Sequence, residues 1–137
     1  MVKNLILTLF LLSLTWACGF TKGMDAARSA VDEFHRQVAA EQAGMIFDGA
    51  TDHFRSSLSR EFNRARFVRL RQKMGVCRSS QATSMSVNAT NLGTFVSMKY
   101  STRCANRQLD ESFVWLIENE KARLYDYSAS SPLLLVN

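Results

Sequence analysis

Apolar residues follow three different rhythms along this chain. From Leu5 to Trp16 they run almost without interruption, from Asp25 to Met74 they recur at helical spacing, and beyond Gly75 they alternate. In the helical stretch, Ala27, Ala30, Val31, Phe34 and Val38 define one face of a first amphipathic helix over 25–42. Glu33, Arg36, Gln37 and Glu41 fill the other face, Asp25 lies in the first turn, and Gly44 is the expected stop. A second, short helix is predicted over 45–54, with Ile46, Phe47, Ala50 and Phe54 on one side and weakened by Gly49. Ser59 is placed to cap a third helix that runs to Met74, with Phe67, Leu70 and Met74 as its buried stripe. Gly75 ends it, with Val76 expected to fold back on Leu70.

The alternating part predicts four strands, over 82–89, 94–103, 109–118 and 122–128. Val96, Met98 and Tyr100 share a face of the second strand, and Leu109, Phe113, Trp115 and Ile117 a face of the third. The turns between them, Asn91-Leu92-Gly93, Ala105-Asn106 and Asn119-Glu120-Lys121, are too short for crossovers and force antiparallel neighbours. Three helices followed by a four-stranded meander is an α+β layout with helices packed on one face of the sheet. The apolar tail over 131–137 is expected as an extra edge segment or a docking strip.

The N-terminal run changes the picture of where the chain works. The first seventeen positions hold twelve apolar residues and one charge, Lys3, and Ala17, Cys18 and Gly19 are small residues suited to a signal-peptidase cut. The run is shorter than the roughly 20 apolar residues of a bilayer span, so a retained membrane anchor is the weaker alternative. Leu14-Thr15-Trp16-Ala17-Cys18-Gly19 resembles the lipobox of bacterial lipoproteins, in which the cysteine becomes the acylated first residue; Thr15 and Trp16 depart from its usual residues. The resemblance implies a bilayer anchor at Cys18 and an outer-membrane destination facing the periplasm. A soluble periplasmic product cut after Gly19 is the alternative. The expected division is a signal peptide over 1–17, a linker over 18–24, one domain over 25–130 and the tail.

Of the 137 residues 47% are hydrophobic and 21% charged, with one proline, a formal net charge of +5 and three cysteines. That composition excludes a disordered or collagen-like chain, and the length allows a single core. Three thiols are an odd number for an oxidising compartment, but lipidation or removal of Cys18 leaves a pair. A hairpin centred near Thr90 and Asn91 pairs residues whose numbers sum to about 181, which sets Cys77 opposite Cys104. A structural disulfide is therefore expected, with two buried free thiols as the alternative.

Phe34, the short helix at 46–50, His53-Phe54-Arg55, Phe62 to Leu70 leading into Met74-Gly75, Tyr100-Ser-Thr-Arg-Cys104, Glu111-Ser-Phe-Val-Trp115 and Arg123-Leu-Tyr-Asp-Tyr127 together resemble the small secreted bacterial proteins grouped as domain of unknown function 4019. The resemblance spans residues 26–130. It implies a cystatin-like, nuclear-transport-factor-2-like roll, in which helices pack into a strongly curved antiparallel sheet, and it brings no activity with it.

Chemistry is sparse. Asp48, Asp52, His53, Tyr100, Glu111, Tyr125 and Tyr127 are the groups that a pocketed roll could use for acid or base work. His53 and Asp52, adjacent on a helix, point about 100° apart. Tyr100 and Glu111 face each other if the hairpin positions sum to about 211. No phosphate loop, nucleophile elbow or metal-ligand spacing occurs, so no cofactor, metal site or catalytic residue is assigned and an enzyme is not expected. Phe47, Phe54, Phe113 and Trp115 are the candidate lining of an apolar pocket. Arg60, Arg64, Arg66, Arg69, Arg71 and Lys73 crowd the third helix and are the candidate contact for an anionic surface or an acidic envelope partner. Nucleic acid is not an expected partner of an exported chain. The sequence favours a tethered interaction or scaffold domain, with a binding module for an apolar or amphipathic small molecule as the alternative.

Overall fold

In the computed structural model, which describes residues 2–105 and 107–135 with side chains from Gly19 onward, the first apolar run and the first amphipathic stretch join in one helix, and the alternating part becomes a sheet. The export segment and the lipidation expected at Cys18 therefore lie outside the described side chains. Among the described residues no helix is long and apolar enough to cross a membrane.

Helix α1 (Val2–Ala39) is continuous, so the stretch 18–24 is helix rather than the expected linker. Gly23 is buried, with room for a Cβ only 3.7 Å from Ile117, and Lys22 pairs with Glu120 at 3.1 Å. Those contacts tie the middle of the helix to the sheet. It ends before Gly44: Glu41 takes φ +60° and supplies the reversal, while Gly44 lies inside α2 (Ala43–Gly49). A Cβ at Gly44 would meet the tip of the Arg60 side chain at 2.6 Å, a contact that this exposed arginine can relieve by swinging aside.

The expected second helix is two pieces, α2 and α3 (Asp52–Ser57), because Ala50 and Thr51 are extended. The Thr51 hydroxyl accepts from the Phe54 amide at 3.3 Å and so caps α3. Its amide and hydroxyl also donate to the Leu124 carbonyl, at 2.9 and 3.1 Å. Helix α4 (Arg60–Met74) has the expected ends, with Ser59 accepting from Phe62 N at 3.1 Å and Gly75 at φ +73°. Gly75 has ψ −160°, outside the left-handed helical region, so the chain leaves straight into the sheet. Val76 is 59% exposed rather than folded back on Leu70.

The sheet is the expected antiparallel meander β1 (Cys77–Thr90), β2 (Gly93–Cys104), β3 (Gln108–Glu118) and β4 (Lys121–Ser130). The helices lie on one face, as the α+β layout requires. Val96, Met98, Tyr100 and Thr102 of β2 and Leu109, Glu111, Phe113 and Trp115 of β3 all point to that face and are buried. Phe34 of α1 is the centre of the core, with its ring 5.0 Å from Phe113, 5.5 Å from Phe67 and 4.7 Å from Tyr127. Burying aromatic side chains of this kind contributes about 2–3 kcal/mol each. The tail is neither an extra strand nor a free strip: Pro132–Leu134 form a 3-10 turn against α4, and Leu133 and Leu134 pack on the core. Val136 and Asn137 lie outside the described residues.

Candidate functional site

The aromatic residues expected to line a pocket instead fill the core. Phe54, Phe113 and Trp115 are each at most 4% exposed, Phe47 is half-buried on the same cluster, and Phe113 stacks on Trp115. A cavity of about 380 Å³ opens at the other end of that core. Its walls are the second half of α1, the last turn of α4, the Gly75–Val76 exit and the start of β1; Thr102, Leu109 and Glu111 form its floor. A volume of that size matches a small-molecule site.

Glu111 is the chemical centre of the cavity. It comes inward because β3 alternates, and the same alternation buries Leu109 and Phe113 on either side of it. Its residue is 3% exposed, yet both oxygens are engaged. Oε1 accepts from the Tyr127 hydroxyl at 2.8 Å; Oε2 accepts from the Thr102 hydroxyl at 2.6 Å and lies 2.8 Å from His35 Nε2. Because Thr102 gives its single proton to Glu111, the Ser80 hydroxyl 2.9 Å away must be the donor to Thr102. The result is a chain of polar groups from strand β1 to the centre of the core. Unpaired, such groups would each cost about 1–3 kcal/mol.

The cavity presents two kinds of wall. Val38, Leu70, Met74 and Leu109 are apolar, whereas His35, Thr102, Ser80 and Glu111 offer hydrogen bonds. Asp32 and Arg78 stand exposed at the rim. Arg71 is held there by the Ala39 carbonyl at 2.8 Å and by Glu41 at 3.2 Å.

Burial pushes the Tyr127 phenol well above the ordinary tyrosine value, and the adjoining Glu111 carboxyl adds to the shift. Burial, with Asp32 nearby, also raises Tyr100. A raised folded-state value means that above about pH 10 the unfolded chain loses these protons first, so stability is intact below that pH and falls as pH rises beyond it. The Tyr127→Phe variant is expected to show a shallower alkaline decline than the parent in urea titrations between pH 9 and 11. Equal slopes would mean that the buried phenol does not set the limit.

Several expected site residues are placed elsewhere. Tyr100 is opposite Glu111 in the register, as their numbers suggested, but the carboxyl bonds Tyr127 instead. His53 is exposed and stacks on Tyr125, with ring centroids 4.1 Å apart. Asp48 pairs with Arg60 and Asp52 with Arg55, and neither lines the cavity.

The arginines of α4 do not form one free surface. Arg60 is taken up by Asp48 and Arg71 by Glu41. Arg66 is half-buried, with its guanidinium carbon 5.2 and 5.1 Å from the centroids of the Phe67 and Tyr127 rings. Burial lowers the Arg66 pKa, against the pull of Tyr127 and Asp126. Lys73 is half-buried, and only Arg64 and Arg69 project outward without an ion pair among the described residues.

His35 is the residue that sequence reasoning missed. It follows Phe34 and continues the Ala27, Val31 spacing of four, so the signal was a polar residue on the apolar stripe.

No known family model matches the chain, and no curated protein matches it.

Proposed function

We propose that this chain is an exported, lipid-tethered domain that binds a small amphipathic molecule in the cavity between α1, α4 and the sheet. The observation that carries the reading is Glu111, a carboxyl group 3% exposed at the floor of a cavity of about 380 Å³, beside His35. An apolar residue there would close the core at lower cost, because a buried polar cluster seldom stabilises a fold more than well-packed hydrocarbon does. A buried carboxyl group in the wall of a cavity is a common feature of binding sites. The apolar walls would take a hydrocarbon or ring portion of the ligand, and the His35, Thr102 and Glu111 side would take its polar group. A scaffold domain, the reading the sequence favours, needs no cavity beside this cluster, and the cavity is what favours the alternative.

Export is supported by the Leu5–Trp16 run and by the Cys77–Cys104 disulfide, which suits an oxidising compartment. Acylation at Cys18 rests on the lipobox-like residues around it. The group of secreted proteins that the sequence resembles fits the same reading.

Native mass spectrometry of the processed protein from its own envelope tests both parts. The expected spectrum shows a chain beginning at Cys18 with acyl mass, carrying a small-molecule adduct that disappears when Val38→Trp fills the cavity. An adduct unchanged by Val38→Trp, or no adduct in either protein, overturns the binding reading. A mature chain lacking Cys18 overturns the tether.

A further inference from the structure

Strand β1 is an open edge of the sheet, and its second half lacks the features that normally close one. At the opposite edge Thr51 donates twice to the Leu124 carbonyl, Arg123 reaches the Ala50 carbonyl at 2.8 Å, and Lys121, Arg123 and Asp126 distribute charge along the strand. In β1 the two bulges, at Cys77/Ser79 and Ala82/Ser84, and the lone charge, Arg78, all fall in the first half. Ser84 to Thr90 is regular and holds no charge, proline or glycine, and among the described residues nothing bonds its outer side. Such a stretch is a template for another strand.

The register fixes which groups face outward. Thr90 and Gly93 close a two-residue turn and exchange hydrogen bonds. Alternation then commits Asn88, Ser86 and Ser84 to β2 and turns the backbone groups of Ala89, Val87 and Met85 away from it. These same three residues lie on the helix side of the sheet, since Val87 is opposite Val96 and Met85 opposite Met98. Met85 and Val87 are only half covered there.

An antiparallel copy of the strand centred on Val87 satisfies both patterns at once. Met85 meets Ala89 of the second copy, and Val87 meets its own equivalent, each pair exchanging both backbone bonds. On the other face Ser86 meets Asn88 and Ser84 meets Thr90. Apolar side chains oppose apolar ones and no charges oppose at all. A shift by two residues in either direction runs into the bulge or the turn. We infer that the chain pairs with a second copy of itself through Ser84–Thr90, joining two four-stranded sheets into one about a twofold axis at Val87.

The test uses the full chain in its envelope. Under oxidation Val87→Cys is expected to form a covalent dimer of twice the chain mass, because residue 87 is its own partner. Gln81→Cys, before the second bulge, is expected to remain at the level that the unmodified chain shows. Val87→Lys sets two ammonium groups across the axis and is expected to reduce amine cross-linked dimer at least about tenfold. Its retained Cys77–Cys104 disulfide shows that it has folded. Equal cross-linking at positions 81 and 87, a cross-linked dimer indifferent to Val87→Lys, or no dimer in any arm overturns the inference. A Val87→Cys adduct of another mass overturns it as well, since a foreign extended peptide would then occupy the edge.

Discussion

Glu111→Ala is expected to destabilise the fold by about 3–5 kcal/mol, because it strands two buried hydroxyl donors at about 1–3 kcal/mol each and opens a void. The alanine strands the Tyr127 hydroxyl, which lies in the core, leaves Thr102 without its acceptor, and frees His35 from the contact that orients its ring. It also leaves a void beneath the cavity floor that Leu109 and Phe113, each locked in the strand, are poorly placed to fill. Glu111→Gln separates the causes. It keeps the volume and one acceptor oxygen, so most of the stability should return, while the polar wall of the cavity changes its donor pattern. In urea titrations followed by circular dichroism, the alanine variant should unfold at much lower denaturant and the glutamine variant near the parent. In native mass spectra the glutamine variant should lose the adduct while remaining folded. A loss below about 1 kcal/mol for alanine would reduce Glu111 to an incidental core residue.

Removing the disulfide should rank next. Cys77 and Cys104 are separated by 27 positions, and a closed loop of that length is worth about 3.6 kcal/mol in the chain-entropy account. For the Cys77→Ala, Cys104→Ala double variant the thermal midpoint should fall by roughly 10–20 °C. The bridge also pins the strand that follows Val76, and Gly75, Val76, Cys77 and Arg78 form one rim of the cavity. Ligand retention should therefore fall with stability in this variant, whereas a void at Phe113, deep in the core, should cost stability more than retention. A midpoint within a few degrees of the parent would assign the clasp no structural weight.

How the two cysteines meet shows how much the sequence could say. Their pairing was expected from a hairpin centred near residue 90.5. The turn actually lies at Asn91 and Leu92, where paired numbers sum to 183, as for Met85 and Met98. Two bulges then shift the register, and the sum reaches 181 at Cys77 and Cys104. From the true turn without bulges residue 77 would stand opposite residue 106. The expected pairing was therefore reached because a centre set one position too early offset two bulges, of which a small polar strand gives little sign.

The β2–β3 register was fully legible, since buried apolar residues alternate strictly on both strands and a slip would expose them all. The site itself was legible only in part. Glu111 and Tyr127 were among the candidates, whereas His35 was not, although it stands four positions after Val31 on the apolar stripe of α1. Arg66 looked like its neighbours in composition, and only the packing of α4 against Phe67 and Tyr127 sets it apart. The α2–α3 break depends on Leu124, seventy-three positions away, which local propensity cannot see.

The continuity of α1 also fixes a distance. From Gly19 to His35 is sixteen residues of unbroken helix, about 24 Å at 1.5 Å per residue. Within that stretch the helix is held to the sheet near its start by Lys22 and Gly23 and near its end by Phe34 and His35. It therefore acts as a rigid mast rather than a leash. With its foot at an acylated Cys18, the mouth of the cavity would stand clear of the headgroups, open to solutes diffusing past the membrane rather than to molecules dissolved within it.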